Sequence, residues 1–262
     1  MSSISLTEAH IQSVLQTRLL GRPTLYYPTI GSTMDEARRL ANAGAAEGLV
    51  VLADEQTAGR GRLERRWWAP KGTCLLLTLL LRPSLPARAA HQLTMIASLA
   101  VCDALATVGG VRAQVKWPND VLVGERKICG ILTELELEET QIRYALLGIG
   151  INVNVNFSAA PELMAPATSV LAETGRQVSR LALLAALLSN IESRYAALKS
   201  GFSYHEEWAA RMATLGQRVR AGNAEEMVEG RAVGVDQDGA LLVQQADSTT
   251  VRVLAGDVTL RP

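Results

Sequence analysis

The stretch T-A-G-R-G-R-L-E-R-R-W-W-A-P-K, residues 57–71, gathers chemistry into one segment. It carries five basic residues, Arg60, Arg62, Arg65, Arg66 and Lys71, against one acid, Glu64. The whole 262-residue chain has 26 Lys and Arg, so the stretch is several-fold enriched. Gly59 and Gly61 allow the backbone to come close to a ligand, and successive amides beside guanidinium groups suit a phosphate. The adjacent Trp67 and Trp68 offer an indole face to a purine. The same residues also fit a solvated surface loop whose tryptophans only pack, and composition does not choose between the two.

Working outward, residues 49–53 read as a buried strand before the loop and residues 73–81 as another after it. Upstream, G-S-T-M-D-E-A-R-R-L-A-N-A-G (residues 31–44) predicts a helix of about three turns, with Thr33 and Glu36 as a capping box and Gly44 as the stop. Downstream, Leu93, Ile96, Ala100, Ala104 and Val108 keep helical spacing up to Gly109-Gly110. Strand-like runs follow at 112–116, 121–123, 131–137 and 143–149. In the third, Leu135 and Leu137 alternate with Glu134, Glu136 and Glu138, which predicts a wet sheet face rather than a carboxylate site. An amphipathic helix spans 181–198. After Leu215 the texture becomes short strands at 217–220, 227–236, 240–244 and 250–254, with D-Q-D-G as a hairpin turn, so a small β-barrel-like unit is expected from there.

Composition bounds the function. Lys+Arg and Asp+Glu are both 26, giving zero net charge, which argues against a general binder of nucleic acid or membrane surfaces. With 48% hydrophobic and 20% charged residues the chain is globular rather than disordered. Its longest apolar stretches, 75–81 (interrupted by Thr78) and 181–188, fall short of the ~18–20 residues of a membrane span, and no basic-then-apolar leader opens the sequence. Cys74, Cys102 and Cys129 have neither disulfide nor zinc spacing and read as buried thiols in a reducing cytoplasm, where the N-F-S sequon at Asn156 has no meaning. His10, His91 and His205 are scattered and read as structural.

A second constellation is K-W-P-N-D, Lys116 to Asp120. Pro118 stiffens the turn, so Asn119 and Asp120 point in a fixed direction. A cation, an amide and a carboxylate in five residues suit a phosphate and its Mg²⁺, although N-D is also a common turn pair. Then comes R-K-I-C-G-I-L, with Lys127 opening an apolar strand. G-I-G-I-N-V-N-V-N from Gly148 lacks the third glycine and the helix of a dinucleotide loop, and no G-x-x-x-x-G-K-[ST] occurs.

Taken together, G-S-T-M-D-E-A, E-Q-T-A-G-R-G-R-L-E-R-R-W-W-A-P, K-W-P-N-D, R-K-I-C-G-I-L and G-I-G-I-N-V-N resemble, in order and spacing, the motifs of biotin–protein ligases across residues 26–157. The resemblance implies an α+β fold: a mixed sheet with flanking helices akin to the class II aminoacyl-tRNA synthetase core (residues 1–214), plus a C-terminal SH3-like barrel (215–262). It also implies a two-step reaction. Biotin's carboxylate attacks the α-phosphorus of ATP, and a carrier-protein lysine then takes biotin from the adenylate and releases AMP.

Family roles carry over onto matching positions. Ser32, Thr33 and Gln56 match residues that hold biotin's ureido ring, and Arg60, Gly61 and Arg62 match the loop that orders over biotin and the adenylate. Trp67 matches a tryptophan near the adenine, and Lys127 a lysine contacting biotin's carboxyl group and the α-phosphate. Asn119 and Asp120 match residues beside the phosphate and the acceptor lysine. The candidate nucleotide set is therefore Arg60, Arg62, Arg65, Trp67, Lys116, Asn119 and Asn152. The candidate catalytic set is Lys127, Arg62, Asp120 and Asn119. Met34 belongs to the biotin set but stands where relatives often carry a polar residue, and Leu63 and Glu64 interrupt a loop that is more basic or glycine-rich elsewhere. About 25 residues precede the first motif, too few for the ~60-residue DNA-binding domain of bifunctional relatives, so the monofunctional class is expected. Expected partners are biotin, ATP with Mg²⁺, and the biotin carboxyl carrier protein of acetyl-CoA carboxylase, with no DNA and no membrane. A homodimer stays open. The competing reading is a lipoate or octanoate ligase of the same fold, which carries an R-R-x-x-G-G-G-type motif in place of K-W-P-N-D.

Overall fold

The computed structural model describes residues 6–157, 166–223, 226–254 and 256–261. Among these, seven strands make a mixed sheet: β1 (Thr24–Tyr27), β2 (Val50–Ala53), β3 (Cys74–Leu81), β4 (Gln114–Lys116), β5 (Asp120–Val123), β6 (Arg126–Glu138) and β7 (Gln141–Asn152). The order is β1-β2-β3-β7-β6-β5-β4, with β1 and β2 parallel and every other pair antiparallel. The helices are α1 (Glu8–Val14), α2 (Thr33–Asn42), α3 (His91–Ala104), α4 (Val170–Thr174), α5 (Arg180–Lys199) and α6 (His205–Ala210).

β3 is buried along its whole length because both of its faces are covered, which is why C-L-L-L-T-L-L-L reads as continuous rather than alternating. Leu75, Leu77, Leu79 and Leu81 join the main core with Leu93, Ile96 and Leu99 of α3 and Leu184, Leu187 and Leu188 of α5. Leu80 faces the other way, toward Met34, Ala37 and Ala41 of α2. Each fully buried side chain of this size contributes roughly 1.5–3 kcal/mol, so the fold is anchored on the α3–α5 face. Residues 87–109 and Arg180–Lys199 are long and apolar enough to cross a membrane by length and composition, more than the short apolar stretches suggested. Here α3 is almost wholly buried and α5 buries one face, so both serve as core helices.

α2 forms where expected, but its cap is Ser32 rather than Thr33: the Ser32 hydroxyl accepts from the Asp35 amide, and Glu36 turns to Tyr27 and Arg39. Thr33 is thereby released for another task, described below. Glu134 likewise departs from a wet face, since it pairs with Arg38 and lies 3.9 Å from Arg60, whereas Glu136 and Glu138 are exposed. The three cysteines are buried and free. Burial raises the thiol of Cys74 to about 11 and Cys102 to about 12, and holds Cys129 well above the usual thiol range, so none is a thiolate.

The C-terminal unit is a five-stranded antiparallel sheet of β8 (Arg218–Gly222), β9 (Met227–Val235), β10 (Leu241–Gln244), β11 (Thr250–Val253) and β12 (Asp257–Arg261), in the order β11-β10-β9-β8-β12. β12 and α6 were not anticipated from sequence. The D-Q-D-G turn joins β9 to β10, with Gly239 at φ +76°. Three rings of the large sheet's half hold this hairpin by its backbone: Trp117 Nε1 donates to the Gly239 carbonyl at 2.9 Å, His91 Nε2 lies 2.9 Å from the Gln237 oxygen and His205 Nε2 2.8 Å from the Val235 oxygen. His91 and His205 are structural, as read.

Candidate active site

α2 covers only part of its sheet face. Beyond its N-terminus the floor is made of glycine. Across the strands runs a row Leu76–Gly150–Gly130–Asp120, and beside it a row Thr78–Gly148–Leu132. A Cβ on Gly150 would lie 2.8 Å from the Trp67 ring, one on Gly130 3.0 Å from it, and one on Gly148 2.8 Å from the Met34 sulfur. These strand glycines exist so that side chains, and a ligand, can approach the sheet's backbone. Gly130 lies in R-K-I-C-G-I-L, and Gly148 and Gly150 lie in G-I-G-I-N-V-N, which fails as a dinucleotide loop; neither motif by itself assigns the glycines a role in a floor. The signal was there, in glycines placed at alternate positions inside an otherwise apolar strand.

Two adjoining pockets open over this floor. The inner one, about 50 Å³, is lined by Ser32, Thr33, Met34, Gln56, Arg60 and the glycine floor. The outer one, about 450 Å³, is lined by Arg62, Arg65, Arg66, Trp68, Lys116, Asp120 and Asn152. Trp67, Asn119 and Lys127 line both and form the junction. Of the candidate residues, Gly61 alone lines neither, and Arg60 lines only the inner pocket, its guanidinium 2.7 and 3.1 Å from the Asp35 carboxylate.

The basic loop is a closed hairpin. Trp67 N–H donates to the Gly59 carbonyl, Gly61 N–H donates to that of Arg65, and Leu63 sits at the exposed apex with φ +55°. The hairpin lays Trp67 over Gly130 and Gly150, with Lys127 Nζ 5.4 Å from the ring centre. The buried Trp67 Nε1–H has no hydrogen-bond acceptor among the described residues, so a donor is available at the junction. Arg62 reaches across to donate to Asn119 Oδ1 at 3.1 Å.

K-W-P-N-D is the β4–β5 turn. Asn119 is pinned to β6, its side-chain amide and backbone carbonyl both bonded to Ile131. Lys127 extends from β6 to Asp120 on β5, Nζ 2.6 Å from Oδ1. Its backbone is held on both sides by residues 166–168, through Lys127 N–H to the Pro166 carbonyl and Thr168 N–H to that of Lys127. The Asn152 side chain donates to the Thr168 carbonyl. The far end of the loop is tied down by the Gly72 N–H donating to the Asp54 carbonyl, and the Asp54 carboxylate accepts from Arg180 at 2.6 Å and from the Tyr26 hydroxyl at 2.7 Å. Burial and this bond to Asp54 raise the Tyr26 phenol to about 12, so it stays a donor.

The arrangement is a narrow, mixed apolar and amide-lined end joined through one lysine to a wider cationic chamber. Comparison with known proteins matches this geometry. Residues 26–152 match the biotin/lipoate A/B protein ligase family and residues 214–261 the biotin protein ligase C-terminal domain. The chain is 35% identical over 258 residues to the bifunctional ligase/repressor BirA of Bacillus spizizenii, covering 97% of this chain and 79% of that one. It is 38% identical to the biotin–[acetyl-CoA-carboxylase] ligase of Paracoccus denitrificans, covering 81% of this chain and 90% of the relative. The biotin protein ligase of Aquifex aeolicus, solved with biotin and ATP, superposes with a TM-score of 0.78 at 28% identity, covering 92% and 99% of the two chains. The chain belongs to the biotin/lipoate protein ligase family, and the relatives it resembles there are biotin–protein ligases.

Proposed function

We propose that the protein joins biotin to ATP as biotinyl-5′-AMP and transfers biotin to a lysine of a biotin carboxyl carrier protein of the acetyl-CoA carboxylase type. The observation that carries this reading is that Lys127, Asn119 and Trp67 line both pockets, where two bound reactants could meet. Biotin's bicyclic ring enters the inner pocket, with Thr33 and Gln56 at its polar end and Met34 on Gly148 as an apolar wall. Its carboxylate then lies at Lys127. ATP occupies the outer pocket, its phosphates among Arg62, Arg65 and Lys116.

Adenylation needs no covalent nucleophile from the protein. Two anions must be brought together and the charge of the pentavalent phosphorus stabilised. Lys127 supplies that charge from a fixed strand position. Arg62, bonded to Asn119, closes the loop over the mixed anhydride and keeps water from it. Asp120 and Asn119 flank the side from which the acceptor amine approaches. Mg²⁺ would arrive with the ATP substrate, its ligands mainly phosphate oxygens. The three unpaired buried thiols suit a reducing compartment.

ATP–pyrophosphate exchange with biotin, lipoate and octanoate in parallel tests the reading, followed by transfer to a biotin carboxyl carrier domain. Biotin-dependent exchange and labelling of the carrier are expected. Exchange driven by lipoate or octanoate instead would replace the reading with that of a lipoate-type ligase.

A further inference from the structure

The run at β3 is apolar except for one residue, Thr78, whose side chain is fully buried. It stands between Val51 of β2 and Gly148 of β7, on the face toward the inner pocket. Its hydroxyl lies 2.9 Å from Thr33 Oγ1, Thr33 Oγ1 lies 3.0 Å from Gln56 Oε1, and Gln56 Oε1 also accepts the Thr33 backbone N–H at 2.7 Å.

These contacts have only one consistent proton order. A backbone N–H can only donate, so the Gln56 atom facing it is its carbonyl oxygen and its amide cannot be turned over. That oxygen accepts, so the Thr33 hydroxyl spends its single proton on Gln56. The Thr33 oxygen must then accept from Thr78. What remains for a ligand is a lone pair on Thr33 Oγ1 and the two protons of Gln56 Nε2, which lies beside Gly59 at the pocket.

We infer that Thr78 is a positioning residue: by donating to Thr33 Oγ1 it holds the Thr33 hydroxyl in the proton order that the Thr33 N–H and Gln56 impose, with Thr33 as acceptor and Gln56 as donor for the N–H and C=O edges of a cyclic urea. The inference rests on the reading of this pocket as the ureido end of biotin. Without the Thr78 hydroxyl, Thr33 still donates to Gln56, but its buried oxygen loses the donor on the β3 side and is no longer held in place from there. Thr78 touches no ligand itself.

Two substitutions separate this role from packing. Thr78→Val keeps the shape and removes the hydroxyl, whereas Thr78→Ser keeps the hydroxyl and removes a buried methyl. Biotin Kd by titration calorimetry, KM for ATP, and Tm are measured for both on the full chain. Thr78→Val should weaken biotin about tenfold, the usual scale for one neutral polar contact, with KM for ATP within twofold of the parent. Thr78→Ser should lose more Tm than Thr78→Val yet bind biotin within about twofold of the parent. Biotin binding that is unchanged in Thr78→Val, or weakened equally in both variants, overturns the inference alone. A wild-type protein that does not bind biotin overturns the underlying reading with it.

Discussion

Lys127 Nζ, on the wall shared by the two pockets, stands 2.6 Å across the β5–β6 pair from Asp120 Oδ1 of the outer one. The carboxylate holds the ammonium over the junction, so the cation is already in place when two anions arrive. Charge fixed before the reaction needs no reorganisation during it, and this makes such a contact effective.

Lys127→Ala should therefore cut adenylate formation by ~10²–10³ while the protein stays folded, because the lysine is one-third exposed and belongs to no core cluster. Pyrophosphate exchange measures the first effect and thermal unfolding the second. Near-normal exchange in a folded variant would remove Lys127 from the reaction.

Arg62 connects the basic hairpin to Asn119 by a side-chain bond. Arg62→Gly should still make biotinyl-adenylate but release it faster, by about tenfold or more, since the loop loses its latch. Stopped-flow dissociation of preformed adenylate reads this directly, and an unchanged off-rate would rule out the latch.

Gly150→Ala places a methyl 2.8 Å from the Trp67 ring, which is rigid and cannot bend aside as a thioether would. The indole must leave the floor, and KM for ATP should rise about tenfold, in line with the ~1–3 kcal/mol of one base–aromatic stack. Gly148→Ala meets the flexible Met34 instead and should act on biotin Kd with little effect on ATP. Equal effects of both alanines on both ligands would contradict the division into two pockets.

Glu192 of α5 accepts the backbone N–H groups of Arg18, Leu19 and Leu20 at 2.7–2.8 Å and so fixes the turn before β1. Burial is the largest single influence and raises its carboxyl, but the three N–H groups and the Arg18 charge together outweigh it and lower it below the usual value. A lowered folded value means the contribution is complete above the unfolded value of about 4.3 and fades as pH falls through the folded one. Glu192→Gln should thus have a lower Tm than the parent at pH 7, with the gap closing below about pH 4. A gap that persists at pH 3 would show that the carboxylate charge is not the cause.

Much of the site was legible because its chemistry is local. Loop, turn and lysine each announce themselves through residues within a few positions of one another, and Ser32, Gln56, Trp67, Asn119 and Lys127 all line the pockets. What escaped was non-local. Thr33 looked like a cap because Glu36 follows it, but whether Ser32 or Thr33 caps is decided by Gln56 and Thr78, 23 and 45 positions away. Gly130 and Gly150 become one feature only when β6 and β7 pair in register. β12 was missed because it is a short strand specified by pairing with β8 rather than by its own pattern.

The hairpin held by Trp117, His91 and His205 is gripped through the carbonyl oxygens of Val235, Gln237 and Gly239. Recognition of main chain leaves side-chain identity unconstrained. Gln237 and Asp238 are therefore free to vary as far as these three bonds are concerned, so long as the bend is kept. Gly239 is the exception, because its backbone is left-handed and a Cβ there would fall 2.9 Å from the His91 ring. An engineer exchanging C-terminal units between relatives would need to match the curvature of this bend, its glycine and Asp236, whose carboxylate accepts the N–H groups of Asp238 and Ala240 and so shapes the turn.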